Sequence, residues 1–223
     1  MGGLIPLGDA SRRLRFPYAT VVIIALNVFV FFHELQGGDA FVLQWAAIPA
    51  VILSGRNLIT LLTSMFLHAS WSHILGNMIF LWAFGPAMED AMNPLSFSLF
   101  YLLGGLAAMM AQMAAAPGSM IPTLGASGAI AAVMGGFLVT YPRDRIRPLF
   151  FFFFFIRITF IPAILLIGFW FLMQLINVGS VASVETSGVA YVAHVAGFLF
   201  GVLACSFFRR PQRYRPPSAW PRS

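Results

Sequence analysis

Six stretches of this sequence approach the length and apolarity of a helix that crosses a bilayer. They run at about Tyr18–Phe32, Trp71–Phe84, Leu95–Ala115, Leu124–Tyr141, Ile161–Val178 and Val189–Phe208. A crossing helix takes roughly 20 consecutive apolar residues. Only 9% of the 223 residues are charged and 60% are hydrophobic, whereas a soluble domain carries roughly 25% charged residues. That apolar excess is too large for one buried core. The expected fold is an all-α polytopic membrane protein with six transmembrane helices.

The connections between these stretches set the organisation. A long segment, about His33 to Ser70, joins the first two; within it Phe41–Leu53 is semi-apolar and Ser54–Asn57 is polar. Phe150–Phe155 is an unbroken phenylalanine run that reads as interfacial. The resulting division is an N-terminal segment at 1–17, a six-helix domain at 18–208, and a basic Pro/Arg-rich tail at 209–223 that is disordered or lies on lipid. There is no internal repeat and no second domain. The first long apolar run has no small-residue cleavage pattern behind it, so no removable signal peptide is expected.

The net charge of +6 is the balance of 13 basic residues, all of them arginine, against 7 acidic ones. In a soluble protein such a balance would suggest nucleic acid. Here the arginines cluster at the ends of the apolar runs, so the lipid bilayer is the expected partner and nucleic acid is not. Arg12, Arg13 and Arg15 precede the first run, Arg143, Arg145 and Arg147 follow the fourth, and Arg209, Arg210, Arg213, Arg215 and Arg222 follow the sixth. With six crossings these groups share one side, and the opposite loops contain only Arg56. The positive-inside rule then places both termini in the cytoplasm. The lone Cys205 permits no internal disulfide and no cysteine metal cluster, and no cofactor or metal is expected.

Polar side chains at membrane depth are costly and are functional candidates by default. His73 and Asn77, in "SHILGNM", are four apart and share one face of the second run. Ser127, in "GASGAI", is about three residues into the fourth, and His194, in "VAHVAGF", about five into the sixth. At 1.5 Å per residue, each lies within roughly 10 Å of the same membrane side. A serine becomes a nucleophile when an adjacent base takes its proton, and His194 is the candidate base. Acyl transfer also needs donors for a developing oxyanion. Asn77, His73 and the Ser127 N–H at a helix N-terminus can supply them. Gly125 and Gly128 would let a substrate approach closely.

Each residue alone has a plainer role. A serine among small residues glues helices together, a membrane histidine can be a packing residue, and Gly197 and Gly201 form a small-xxx-small packing face. Matched depth on three helices favours chemistry. Packing of the sixth run on the fourth, where Gly135 and Gly136 are small, would also bring His194 toward Ser127.

The motifs "HILGN", "GASGAI" and "AHVAGFLFG", in this order on these runs, resemble those of rhomboid intramembrane serine proteases. The likeness covers most of the chain from "RRLRFPYAT" onward. It implies a six-helix rhomboid-like bundle and a Ser–His dyad that cleaves transmembrane segments of other membrane proteins. Nucleophile falls on Ser127, general base on His194, and oxyanion roles on His73, Asn77, Gly125 and the Ser127 N–H. It further implies a partly submerged first connection, a lateral gate at the fifth helix with the 179–188 loop, and structural roles for His68 and Glu89. Some members carry an aromatic residue four after the serine that stacks on the histidine; here Ala131 stands there, so other packing must hold His194.

Other readings compete. A non-catalytic rhomboid-like binder of transmembrane segments would be signalled by loss of the serine or the histidine, and both are present. A transporter is disfavoured because inverted repeats and paired broken helices are missing. A zinc protease is disfavoured because H-E-x-x-H is missing, and an aspartyl intramembrane protease would need paired membrane aspartates. A prokaryotic plasma membrane, with the site open to the extracytoplasmic side, suits this reading. Helix-breaking or small residues are expected near the cleaved bond.

Overall fold

The structure is a computed structural model that describes residues 2–9, 15–152, 155–158, 160–181 and 190–210. Among these, helices dominate. A long helix α1 (Tyr18–Trp45) leads through α2 (Pro49–Leu53), α3 (Thr60–Thr63) and a 3-10 turn (Ser64–Phe66) into α4 (Trp71–Met92). Then come α5 (Pro94–Ala115), α6 (Ser127–Thr140), α7 (Ala163–Val181) and α8 (Tyr191–Phe208). By length and composition α1, α5 and α8 can each cross a membrane; α6 and Ala163–Val178 are apolar but shorter.

Helix α6 is the centre of the bundle. Every residue from Gly128 to Phe137 is buried, as expected of a helix that is apolar all round. α4, α5, α7 and α8 all pack against it. Its tightest partner is α8. A methyl group placed on Gly201 would overlap the Ala132 carbonyl, one on Gly197 the Gly128 carbonyl, and one on Gly135 the Phe198 carbonyl. Gly136 points elsewhere, toward Met88, Phe100 and Cys205. Outward, the pattern of a soluble protein is reversed. Leu165, Phe169 and Leu172 of α7 and Leu203 and Phe207 of α8 are all exposed. Apolar surface of that extent marks contact with lipid.

Several boundaries differ from the sequence expectation. α4 continues through Gly85 and Pro86 to Met92 instead of ending at Phe84. Tertiary contacts hold the extra turns: Gly85 sits against Thr20, and the Glu89 carboxylate accepts from the Ala19 and Thr20 amides at 2.9 and 2.8 Å. Asn93, at φ +95°, then turns the chain and caps α5 by accepting from the Ser96 amide at 3.0 Å. α1 likewise runs on to Trp45, with a kink at Gly38, φ +56°. The first connection is therefore shorter and more ordered than the 33–70 segment suggested. It is pinned at both sides, with Glu34 accepting from the His68 amide at 2.9 Å and the Ala47 amide donating to the Thr123 carbonyl at 3.1 Å.

The all-α expectation also meets a small antiparallel sheet. β1 (Gly2–Asp9) pairs with β2 (Arg145–Phe152), which pairs in turn with β3 (Phe155–Ile158) and β4 (Ile161–Pro162). Of the phenylalanine run, Phe150–Phe152 thus lie in β2 and Phe155 in β3. A short unbroken apolar run does not distinguish helix from strand by periodicity, and phenylalanine and isoleucine favour strands. Residues 182–188 of the expected 179–188 loop, Val189 at the expected start of the sixth run, and 211–223 of the expected tail lie outside the described residues.

Candidate active site

Ser127 is the first residue of α6, where the first-turn N–H groups have no helical partner. The segment before it is fixed from outside. The Thr123 amide donates to the Ala47 carbonyl at 2.7 Å, and the Gly125 amide donates to the Ser64 carbonyl at 2.9 Å. Gly125 has φ +124°, a conformation open mainly to glycine. A Cβ there would stand 3.0 Å from His73 Cε1 and Nε2 and 3.7 Å from Ser127 Oγ. Gly125 is therefore where the His73 ring and the serine hydroxyl converge. Its own N–H is committed to Ser64 and is not free to donate to a substrate.

His194 is the fourth residue of α8. The close approach of Gly197 to the Gly128 carbonyl, beside Ser127, brings the two side chains together. His194 Nε2 lies 2.7 Å from Ser127 Oγ. His194 Nδ1 lies 2.8 Å from Gln174 Oε1 on α7. The aromatic support missing at Ala131 comes from other positions. The Trp170 ring of α7 lies 5.9 Å from the imidazole, tilted at 38°, and Tyr191 meets it edge-on at 6.3 Å. Ala131 itself is fully buried.

His73 and Asn77 occupy one face of α4. The Ser70 hydroxyl caps the helix by accepting from the His73 amide at 3.2 Å. His73 Nδ1 faces the Ala69 amide at 3.4 Å, which turns Nε2 toward Gly125. Asn77 is buried and its Nδ2 has no hydrogen-bond partner among the described residues. It bonds to neither Ser127 nor His194. His68 packs edge-on against His73 at 5.0 Å. Buried in the loop before α4, His68 is held neutral, pushed down to about 3 by burial first and by the neighbouring His73 second.

A small apolar cavity of about 20 Å³ opens beside Ser127, lined by Met65, Gly105, Ala108, Ala129 and Ala193 among others. A larger one, about 400 Å³ between Arg15, Tyr18, Glu89 and Asn93, lies at the opposite end of α4 from His73. No three His, Cys, Asp or Glu side chains gather to hold a metal among the described residues.

Gln174 is the residue that sequence reasoning missed. It is the lone amide in "LLIGFWFLMQLI", and a polar side chain in such a run is itself a signal.

The family model of the rhomboid domain matches residues 55–211. The chain belongs to the rhomboid family. Among curated relatives, the rhomboid protease GluP of Bacillus subtilis is 28% identical over 203 residues, 88% of this chain and 36% of that protein. Rhomboid-like protein 11, chloroplastic, of Arabidopsis thaliana is 27% identical over 152 residues, 63% of this chain and 49% of that protein. The mitochondrial presenilin-associated rhomboid-like protein of Bos taurus is 32% identical over 136 residues, 57% of this chain and 34% of that protein. This rhomboid chain thus spans about a third to a half of the length of these relatives.

Proposed function

We propose that this rhomboid is an intramembrane serine endopeptidase that cleaves transmembrane segments of other membrane proteins. The observation that carries the reading is the 2.7 Å contact between Ser127 Oγ and His194 Nε2. In the proposed reaction, Ser127 Oγ attacks the carbonyl carbon of the scissile bond while its proton passes to His194 Nε2. The tetrahedral oxyanion is met by the Ser127 N–H, by His73 Nε2–H and by the unpaired Asn77 amide. His194 then protonates the departing amine, leaving an acyl-serine. Water, deprotonated by His194, attacks that ester, releases a carboxylate and returns the proton to Ser127 Oγ. The small cavity beside Ser127 suits a small side chain next to the cleaved bond.

In the membrane, α1 and α4–α8 are the six crossings of a rhomboid domain at 18–208, with both termini cytoplasmic and the site toward the extracytoplasmic side. The arginine distribution supports this orientation. Alignment over most of the chain with a Bacillus protein supports a prokaryotic plasma membrane.

A fluorophosphonate serine probe tests the nucleophile in the purified protein. It should attach to the peptide that carries Ser127, fail with Ser127→Ala, and slow by roughly 100-fold or more with His194→Ala. Equal labelling of all three proteins, or none of the native protein, contradicts the proposal.

A further inference from the structure

Gln174 projects from α7 to the face of His194 that points away from Ser127. It is buried, and its amide is held at both ends: Nε2 donates to the Trp170 carbonyl at 3.3 Å, and Oε1 lies 2.8 Å from His194 Nδ1. A backbone carbonyl can only accept, so the amide nitrogen must be the atom that faces Trp170. That leaves the amide oxygen facing His194. An amide oxygen can also only accept, so Nδ1 must carry a proton. In a neutral imidazole the other nitrogen, Nε2, then bears the lone pair, and Nε2 is the atom that faces Ser127. The hydrogen-bond chain therefore has one polarity: Ser127 Oγ–H to Nε2, Nδ1–H to Oε1, and the amide N–H to the Trp170 carbonyl. Reversing any one of these bonds would set two donors or two acceptors against each other.

We infer that Gln174 is the positioning residue of this site, selecting the His194 tautomer that can take a proton from Ser127. The inference rests on the proposed dyad and adds a third member to it. When Nε2 becomes protonated, the Oε1 dipole stabilises the imidazolium without moving. Trp170 and Gln174 sit one turn apart on α7, and Phe171 stacks on Phe198 of α8 at 4.2 Å. The seat of α7 against α8 therefore controls whether the histidine is ready. If α7 shifts outward, the amide leaves Nδ1, and the tautomer is no longer fixed.

The test compares the native protein with Gln174→Met, which keeps the volume and loses the acceptor, and Gln174→Glu, which keeps an acceptor oxygen. On a transmembrane substrate, Gln174→Met should lower kcat by roughly 10-fold or more, since a wrong tautomer in a comparable site costs far more, with KM within about twofold. Gln174→Glu should restore most of kcat. The imidazole 15N shifts of His194 in the unaltered protein should report the Nδ1–H form. Native kcat in Gln174→Met, equal losses in both variants, a change confined to KM, or an Nε2–H tautomer would overturn the inference. If Gln174→Met does not fold, the tautomer measurement decides. If the native protein cleaves nothing, the proposed function fails, and the tautomer still answers for Gln174.

Discussion

Gly197 of α8 lies directly against the backbone carbonyl of Gly128 in α6, with no room for a Cβ between them. Gly128 follows Ser127, and Gly197 lies three residues after His194. Of the three glycine contacts that seat α8 on α6, this one lies within one turn of the Ser127–His194 contact, and it bears most directly on that distance. A carbonyl on a buried helix cannot step aside as a side chain can.

Gly197→Ala should therefore push α8 away from α6 near the site. Overpacking of this kind costs about 1–3 kcal/mol. A displacement of about 1 Å between reacting groups costs on the order of 100-fold in rate. The expected result is a modest drop in Tm with a large drop in the rate of Ser127 labelling. A native rate in this variant would show that the glycine contact does not set the dyad distance.

Glu89 caps α1 from a different helix. Pro17, at the α1 N-terminus, offers no side-chain cap. The Glu89 carboxylate accepts instead from the Ala19 amide, the Thr20 amide and the Thr20 hydroxyl, at 2.9, 2.8 and 2.8 Å. Glu89→Ala leaves two buried N–H groups without an acceptor and should cost about 2–3 kcal/mol. Glu89→Gln should recover only part of this, because its NH₂ cannot accept. Thermal unfolding in detergent reads the effect, and unchanged midpoints in both variants would contradict the cap.

The sequence made Ser127 and His194 legible for a physical reason. Glycine and serine at fixed spacings in apolar runs mark where helices come close, and such contacts are local to each helix. Gln174 was harder to assign because its relation to His194 exists only after α7 packs on α8; no spacing along the chain encodes it. The first span was expected to end at Phe32, whereas the chain stays helical to Gly37, breaks at Gly38 and resumes as helix to Trp45. Gly85–Pro86 hid the end of α4, since such a pair reads as a breaker when tertiary contacts are not visible. The phenylalanine run has no period, so strand pairing with Gly2–Asp9 had no local signature.

His68 gives a pH dependence with a definite sign. Its ordinary value of 6.5 is pushed down to about 3 in the folded protein, so the folded state keeps the ring neutral. As pH falls below about 6.5 the unfolded chain takes up a proton that the folded chain refuses. The contribution to stability is full above that pH and declines until the folded ring also protonates near 3. The Tm of the native protein should fall more between pH 7 and pH 4 than that of His68→Phe. Parallel pH slopes would contradict this account of His68.

The most direct measurement is cleavage of a transmembrane substrate in detergent by the purified native protein, by Ser127→Ala and by His194→Ala. The account predicts cleavage by the native protein and silence from both variants. Equal cleavage by all three would assign the activity to something other than Ser127 and His194. Binding of the segment without cleavage by the native protein would make this rhomboid a recogniser of transmembrane helices and not a protease.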